Sequence, residues 1–363
     1  MRSLINNYIG DKNHLYYLVN DTIDKIIRDE KISYIEVEED HFLDVINLKT
    51  DSVASWFYNY VVKKINLPTK ITTENFKFFS DCDKVYYALR DKKSRDVFDW
   101  YFKSIVARIM LRNLKDAERI VPYDFLDKNM AYSVKSFLKQ AIPISGEEFK
   151  ISNYTIKTNA PSLLETWTCE TYLLEDICTV KKGDVIIDGG AYKGETALWF
   201  AKKTEEYCEI HAFEAVYEFA KVMQENIVNN NLQDKIYVQA KGLWNEETKL
   251  GMFLQDSVSE CLTESLENQI ETTTIDIYIK SNNIKKVDFI KLDVEASELM
   301  AILGAKETIA KFAPKMAICI YHRLDHIYEI PNLVLSIYPH YDIYLSHKTY
   351  GPMNTIMYFV PKN

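Results

Sequence analysis

The chain has 363 residues, a formal net charge of −9 and 47 % hydrophobic residues. This length predicts about two domains, and the composition is that of a globular protein rather than a disordered or fibrous one. The negative charge argues against broad nucleic-acid binding, which needs excess Lys and Arg to neutralise phosphates. The 10 glycines are unevenly placed, because Gly10 and Gly146 are the only two before residue 150. The later glycines favour tight turns, where ligands can approach the backbone.

The sequence contains no features of a membrane or secreted protein. No run of 18 uncharged apolar residues is present, so we expect no integral membrane segment. The N-terminal residues lack the apolar core of a signal peptide. The 6 cysteines are scattered without a Cys-x-x-Cys pair, which indicates reduced thiols rather than a disulfide framework or a zinc site. We therefore expect a cytoplasmic protein.

Residues 1–145 are predicted to form a mainly helical accessory domain. Apolar residues recur at helical spacing in 14–30 and, most strongly, in 80–111. Asp81 and Ser94 are candidate caps or turn residues inside the second segment, where they would divide it into two helices. Such apolar stripes are used most often for core packing. A homodimer formed through this domain is the alternative.

The remaining residues, 146–363, are predicted to form an α/β domain with its core at 183–360. Short β-branched runs alternate there with helical stretches, which predicts βαβ units and a mostly parallel sheet. The expected strands are 184–188, 209–214, 235–240, 287–293 and 316–321, and the expected helices are 196–203, 216–229 and 297–303.

Two regions at the margins of this core are less regular. The final strands, 341–346 and 355–360, are too close in sequence for a helical crossover, so we expect them to pair antiparallel. In the connecting segment before the core, we expect a strand at 151–156 and a helix at 163–174.

A glycine-rich turn, residues 188–196, joins the first strand of the core to its helix. In a doubly wound sheet, a nucleotide-like ligand lies beyond such strand ends. Glu214 ends the second strand, where an acidic side chain can hold both ribose hydroxyls. A dinucleotide site has the pattern Gly-x-Gly-x-x-Gly, and this chain has Ala191 in place of the middle glycine. S-adenosylmethionine has no phosphate and fits the looser pattern of Asp188, Gly190 and Gly194.

These residues resemble the FkbM-type S-adenosylmethionine-dependent methyltransferases. The resemblance covers roughly 164–358 and rests on 185–196, 212–215, 274–276, 287–298 and 303–305. Its most specific block, 287–298, is similar to the family pattern Asp-x-x-Lys-x-Asp-x-Glu-Gly-x-Glu and departs from it at Ala296. The resemblance implies a Rossmann-like class I methyltransferase sheet, mostly parallel with a C-terminal antiparallel strand, beside the helical domain. It also implies S-adenosylmethionine as the cofactor and a hydroxyl, often of a sugar or polyketide, as the acceptor.

The resemblance implies a role for each matching residue. Asp188 and the backbone of 190–194 would face the methionine part of the cofactor, and Glu214 would hold the ribose. Gly242 and Leu243 would border the adenine. The full set of implied cofactor residues is Asp188, Gly190, Ala191, Tyr192, Gly194, Thr196, Glu214, Ala215, Gly242 and Leu243.

A hydroxyl acceptor must lose its proton, so a general base is needed near the transferred methyl. We assign this catalytic region to Asp293, Glu295 and His322. Glu298 is explained as well by its place at a helix start, where the dipole favours an acid. His322 and His326 have a spacing that metal sites use on helices. No third ligand is indicated nearby, so no metal is expected.

The sequence therefore predicts an O-methyltransferase that acts on a small-molecule or glycan acceptor, such as a sugar hydroxyl of a surface-glycan precursor. Two other functions are kept as alternatives. One is a nicotinamide-dependent oxidoreductase, which Ala191 disfavours. The other is a non-catalytic scaffold whose helical part binds a partner protein.

Overall fold

The structure is a computed structural model that describes residues 14–30, 57–59, 61, 73–111, 114–122, 130–255, 258–263, 269–349 and 354–362. The chain divides into two compact units. The first comprises Met1–Phe125 and Tyr321–Pro331, and the second comprises Leu126–Ile320 and Asn332–Asn363. The limits 1–145 and 146–363 stay a prediction of where functional domains meet.

The described N-terminal part of the first unit is helical, as predicted. Its helices are α1 (His14–Glu30), α2 (Thr73–Ala88), α3 (Lys92–Leu111) and α4 (Leu114–Ile120). Helix α1 packs against α3 and buries an apolar face made of Leu15, Val19, Ile23 and Ile26. This burial supplies the hydrophobic stabilisation that an isolated helix lacks.

The segment predicted at 80–111 does divide into two helices, α2 and α3. Asp81 and Ser94, predicted as caps or turn residues, instead lie inside α2 and α3. Asp91 precedes α3, and its carboxylate accepts the backbone N–H of Ser94 at 2.7 Å, which satisfies a donor at the helix start. A second acid, Asp83, is buried in α2 and accepts the backbone N–H of Leu15 at 2.8 Å.

From residue 126 onward the elements alternate between helix and strand. In chain order they are α5 (Met130–Gln140), β1 (Ala141–Ser145), β2 (Glu148–Ile151), β3 (Tyr154–Lys157), α6 (Ala160–Trp167), β4 (Val185–Gly189), α7 (Glu195–Lys203), β5 (Glu209–Phe213), α8 (Tyr217–Asn229), β6 (Ile236–Gln239), β7 (Gly242–Leu243), β8 (Lys249–Gln255), β9 (Val258–Thr263), β10 (Gln269–Thr273), α9 (Ile275–Ser281), β11 (Phe289–Leu292), α10 (Glu298–Leu303), α11 (Lys306–Phe312), β12 (Lys315–Cys319), α12 (His326–Ile337), β13 (Tyr341–His347) and β14 (Thr355–Pro361).

The second unit is built on a seven-stranded sheet of order β13-β14-β12-β11-β4-β5-β6. The neighbours from β12 to β6 are parallel, and β14 is antiparallel to both β12 and β13. This confirms the predicted mostly parallel sheet with a C-terminal antiparallel strand. The chain leaves β4 towards β5 and later returns to β11 on its other side. The carboxyl ends of β4 and β11 therefore form the switch point at which such sheets bind ligands.

The connecting segment differs from the prediction in two places. The predicted strand 151–156 is interrupted by a turn in which Ser152 has φ +54°, so β2 and β3 form a hairpin within the small sheet β1-β2-β3. The helix predicted at 163–174 is α6, which begins and ends earlier. It begins early because Asn159 accepts the backbone N–H of Ser162 at 2.8 Å and Pro161 suits the first turn.

In the parts of the chain that the structure describes, every helix falls short of the length and apolar character that crossing a bilayer needs. Among the cysteine side chains that are described, none takes part in a disulfide.

Candidate active site

The turn between β4 and α7 lies directly against the turn that follows β11. Asp293 donates its backbone N–H to the carbonyl of Gly189 at 3.1 Å. A Cβ on Gly190 would lie 1.8 Å from the carbonyl oxygen of Asp293, and Gly190 has φ +73°. Only glycine fits this position, because it combines a left-handed backbone with the absence of a side chain. The turn thus rests backbone to backbone on Asp293.

Glu214 closes this turn from the end of β5. One carboxylate oxygen accepts the backbone N–H of Tyr192 at 2.9 Å, and the other accepts that of Val216 at 2.8 Å. Burial raises the pKa of Glu214 to about 7, although both hydrogen bonds lower it. Each oxygen keeps a further acceptor site, so Glu214 can hold hydroxyl groups while it fixes the turn.

Lys291 is a charged residue in the middle of the buried strand β11, with 1 % of its surface exposed. Its ammonium lies 3.3 Å from the carboxylate of Asp188 and donates to the carbonyls of Gly189 and Gly190 at 3.0 and 2.6 Å. Burial lowers the pKa of Lys291, but Asp188 and Asp293 outweigh this effect and raise it. The lysine therefore stays charged and anchors the glycine turn to the central strands.

The residues predicted to border the adenine lie beside the same turn. Gly242 and Leu243 form β7, and both are buried. The tip of Leu243 lies 2.7 Å from where a Cβ on Gly189 would be, so the absence of that side chain lets β7 approach. Of the other predicted cofactor residues, Ala191 and Thr196 are buried and Ala215 is half-buried.

Asp293 is half-buried at the end of β11. Its carboxylate accepts a hydrogen bond from the hydroxyl of Tyr172 at 2.6 Å, so its orientation is fixed. Glu165 on α6 lies close enough to Asp293 for the charge of Asp293 to affect the pKa of Glu165. The pKa of Glu165 is raised to about 7, because burial and the charge of Asp293 together raise it by more than a hydrogen bond with Asn354 lowers it. Sequence reasoning missed Tyr172 and Glu165, because nothing local links them to β11.

The turn after Asp293 has a left-handed backbone. Glu295 has φ +50° and Ala296 has φ +68°, which gives the physical reason why a glycine is usual at the position of Ala296. Glu295 is half-buried. Glu298 is fully buried and accepts the backbone N–H of Val294 at 2.9 Å. This contact supports the structural explanation of Glu298 as a residue that shapes the helix start.

Glu195 is the first residue of α7 and was not predicted as a site residue. It is 4 % exposed, and one of its carboxylate oxygens has no hydrogen-bond partner among the described residues. Burial raises its pKa to about 8, and the nearby carboxylates of Asp188 and Glu214 contribute to the increase. From sequence alone, an acid here looks like an ordinary helix-dipole residue.

His322 lies in Tyr321–Pro331, the segment that belongs to the first unit. Its side chain is buried, and its ring lies 4.2 Å from that of Tyr321, centroid to centroid. His326 begins α12 and is fully buried. The catalytic assignment of His322 stays a prediction.

This sheet, with its single antiparallel strand, and the site at its switch point define the Rossmann-like class I methyltransferase fold. Residues 188–350 match the family model described as the methyltransferase FkbM domain. Over these residues the chain therefore matches an FkbM methyltransferase domain. This match favours the methyltransferase interpretation of the glycine turn over the nicotinamide one.

One solved structure supports this fold. The methyltransferase FkbM from Methylobacillus flagellatus KT has a TM-score of 0.51 at 18 % identity, over 79 % of this chain and 60 % of that one. The chain thus spans less than two thirds of that protein. The O-methyltransferase from Bacillus cereus in complex with SAH has a TM-score of 0.34 at 12 % identity, over 68 % of this chain and 96 % of that one. No curated protein matches the sequence.

Proposed function

We propose that the protein transfers a methyl group from S-adenosylmethionine to a hydroxyl of a small-molecule or glycan acceptor, such as a sugar of a surface-glycan precursor. The observation that carries this proposal is the backbone contact between Gly190 and Asp293. It brings a turn suited to the cofactor and a carboxylate suited to the acceptor to one switch point of the sheet. Glu214 supplies the acceptor oxygens for ribose hydroxyls beside them.

The residues present fit such a cofactor. The sulfonium of S-adenosylmethionine supplies an activated methyl group and a good leaving group. The protein's main task is then to position donor and acceptor, which is worth several kcal/mol of barrier. Tyr172 holds the carboxylate of Asp293 in place, so that Asp293 can orient the acceptor hydroxyl. A nearby carboxylate, Asp293, Glu295 or Glu165, takes the proton that this hydroxyl must lose.

Calorimetric titration with S-adenosylmethionine, S-adenosylhomocysteine and NADH tests the cofactor. We expect the first two to bind and NADH not to bind. Methyl transfer from labelled S-adenosylmethionine to a panel of nucleotide sugars and glycan fragments then tests the acceptor class. Binding of NADH alone would contradict the proposal, and methyl transfer only to protein or RNA would contradict its acceptor class.

The proposal includes a cytoplasmic location, and a homodimer formed through the helical part of the chain stays the alternative to core packing there. Light scattering after size-exclusion chromatography tests the dimer, and a monomer at assay concentration would refute it.

A further inference from the structure

Among the described residues, the glycine turn is surrounded by more buried carboxyl groups than buried ammonium groups. The carboxyls of Asp188, Glu195 and Glu214 are 0, 4 and 6 % exposed. Lys291 is the ammonium that acts on all three of them. Burying ionised carboxylates without matching cations is costly, so such carboxyls hold protons near neutral pH and ionise more readily when a cation lies beside them.

Lys291 does not neutralise Glu195 by contact. Its ammonium is engaged with Asp188 at 3.3 Å and with the carbonyls of Gly189 and Gly190. One oxygen of Glu195, meanwhile, has no hydrogen-bond partner among the described residues. Lys291 and Glu195 therefore interact electrostatically without a direct contact. One carboxylate oxygen of Glu195 can still accept a hydrogen bond.

The charged groups that act on Glu195 come from three strands. Asp188 comes from β4, Glu214 from the end of β5 and Lys291 from β11. Helix α6 contributes a neutral contact, the indole N–H of Trp167 to the backbone carbonyl of Glu195 at 3.0 Å. The pKa of Glu195 is raised to about 8 and that of Glu214 to about 7. Both carboxyls can therefore lose a proton near neutral pH when a cation arrives.

We propose that Glu195 is a specificity-determining residue of the cofactor pocket. The negative charge of its carboxylate favours S-adenosylmethionine, which is a cation at sulfur, over S-adenosylhomocysteine, whose sulfur is uncharged. This inference rests on the proposed function. The two ligands differ by one methyl group and by the positive charge on sulfur, so their affinity ratio reports the field at that atom. By Coulomb's law, a unit charge within about 10 Å of another at an effective dielectric constant of about 20 changes an equilibrium about tenfold or more. Glu195 thus favours cofactor binding and product release together.

The test is calorimetric titration of both ligands at pH 8.5 with wild type, Glu195→Gln and a control, Glu218→Gln. Glu218 lies in the first turn of the next helix, α8, and its side chain is exposed. We expect Glu195→Gln to lower the ratio of the two affinities by at least about fivefold, mainly through weaker S-adenosylmethionine binding. The control should keep the wild-type ratio. Because each ligand meets all three proteins in one buffer, the ligands' own ionisation cancels.

A purely structural role would weaken both ligands equally, so an unchanged ratio in Glu195→Gln overturns the inference. If this variant does not fold, wild-type titrations in buffers of different ionisation enthalpy replace it. After correction for the ligands' own ionisation, these titrations should show that binding of S-adenosylmethionine releases more protons than binding of S-adenosylhomocysteine. Equal proton release with the two ligands overturns the inference. If wild type binds neither ligand, the proposed function itself fails. Binding of both with an unchanged ratio refutes the role of Glu195 alone.

Discussion

Replacing Gly190 with alanine tests the backbone contact on which the site is built. The added Cβ would lie 1.8 Å from the carbonyl oxygen of Asp293 and 2.8 Å from its carbonyl carbon, so the two turns must separate by more than about 1 Å. Overpacking of this kind costs about 1–3 kcal/mol, and left-handed strain adds about 1–2 kcal/mol. The reduced entropy of the unfolded chain returns at most about 1 kcal/mol. We expect a net loss of about 1–5 kcal/mol in urea-induced unfolding, with a loss of S-adenosylhomocysteine affinity in calorimetry.

Gly146 offers a matched control, because it has φ +49° but no atom within 4 Å of an added Cβ. Gly146→Ala should therefore show the strain alone, a loss of at most about 2 kcal/mol, and should keep ligand affinity. The difference between the two variants isolates the contact with Asp293. If both variants lose the same stability, or if Gly190→Ala keeps full affinity, the reasoning about this contact is wrong.

Four further outcomes are expected. Glu214→Ala should weaken S-adenosylhomocysteine binding at least about tenfold in calorimetry, because the turn loses an acceptor of charge-assisted hydrogen bonds; unchanged affinity would contradict the assignment. Asp293→Asn should keep cofactor affinity but lower turnover of an identified acceptor by about a hundredfold, and full turnover would remove Asp293 from the reaction. Ala296→Gly relieves a residue at φ +68°, so thermal unfolding should show unchanged or slightly higher stability; a loss above about 1 kcal/mol would argue against the strain. The raised pKa of Glu195, about 8, means that the folded protein binds a proton that the unfolded chain releases near pH 4. Stability without ligand should therefore fall as pH rises from about 5 to 8, and urea midpoints of Glu195→Gln should fall less steeply.

The core of the fold could be predicted from sequence because its signals are local. Each parallel strand is a short apolar run that is buried on both faces, as in β4 and β11. Each crossover helix has its own apolar face, and the turn before α7 has its own glycines. The small sheet β1-β2-β3 was not predicted, because its hairpin depends on a left-handed backbone conformation at Ser152. A serine gives no sequence signal for that conformation.

The site could be predicted only in part. The glycines after β4 predicted the turn, and the acids at the ends of β5 and β11 predicted the roles of Glu214 and Asp293. Tyr172 reaches Asp293 from 121 positions away, a pairing that no local pattern contains. A role for Lys291 could have been predicted, because a lysine inside the run Phe289–Leu292 needs charged or polar partners if the strand is buried. No such signal exists for Glu195, because its environment comes from three separate strands.

The last strand has a consequence for the order in which the site is assembled during synthesis. The hydroxyl of Tyr358 in β14 donates to the carbonyl of Thr171. Lys348 donates to the carbonyls of Glu170 and Leu173 at 2.9 and 2.6 Å. These bonds fix the segment that carries Tyr172, which in turn holds Asp293. Because the ribosome delivers residues from the N-terminus, a nascent chain can form the glycine turn and β11 while Tyr172 still lacks this support. Tyr172 and Asp293 therefore gain this support only after β14 has emerged and inserted between β12 and β13.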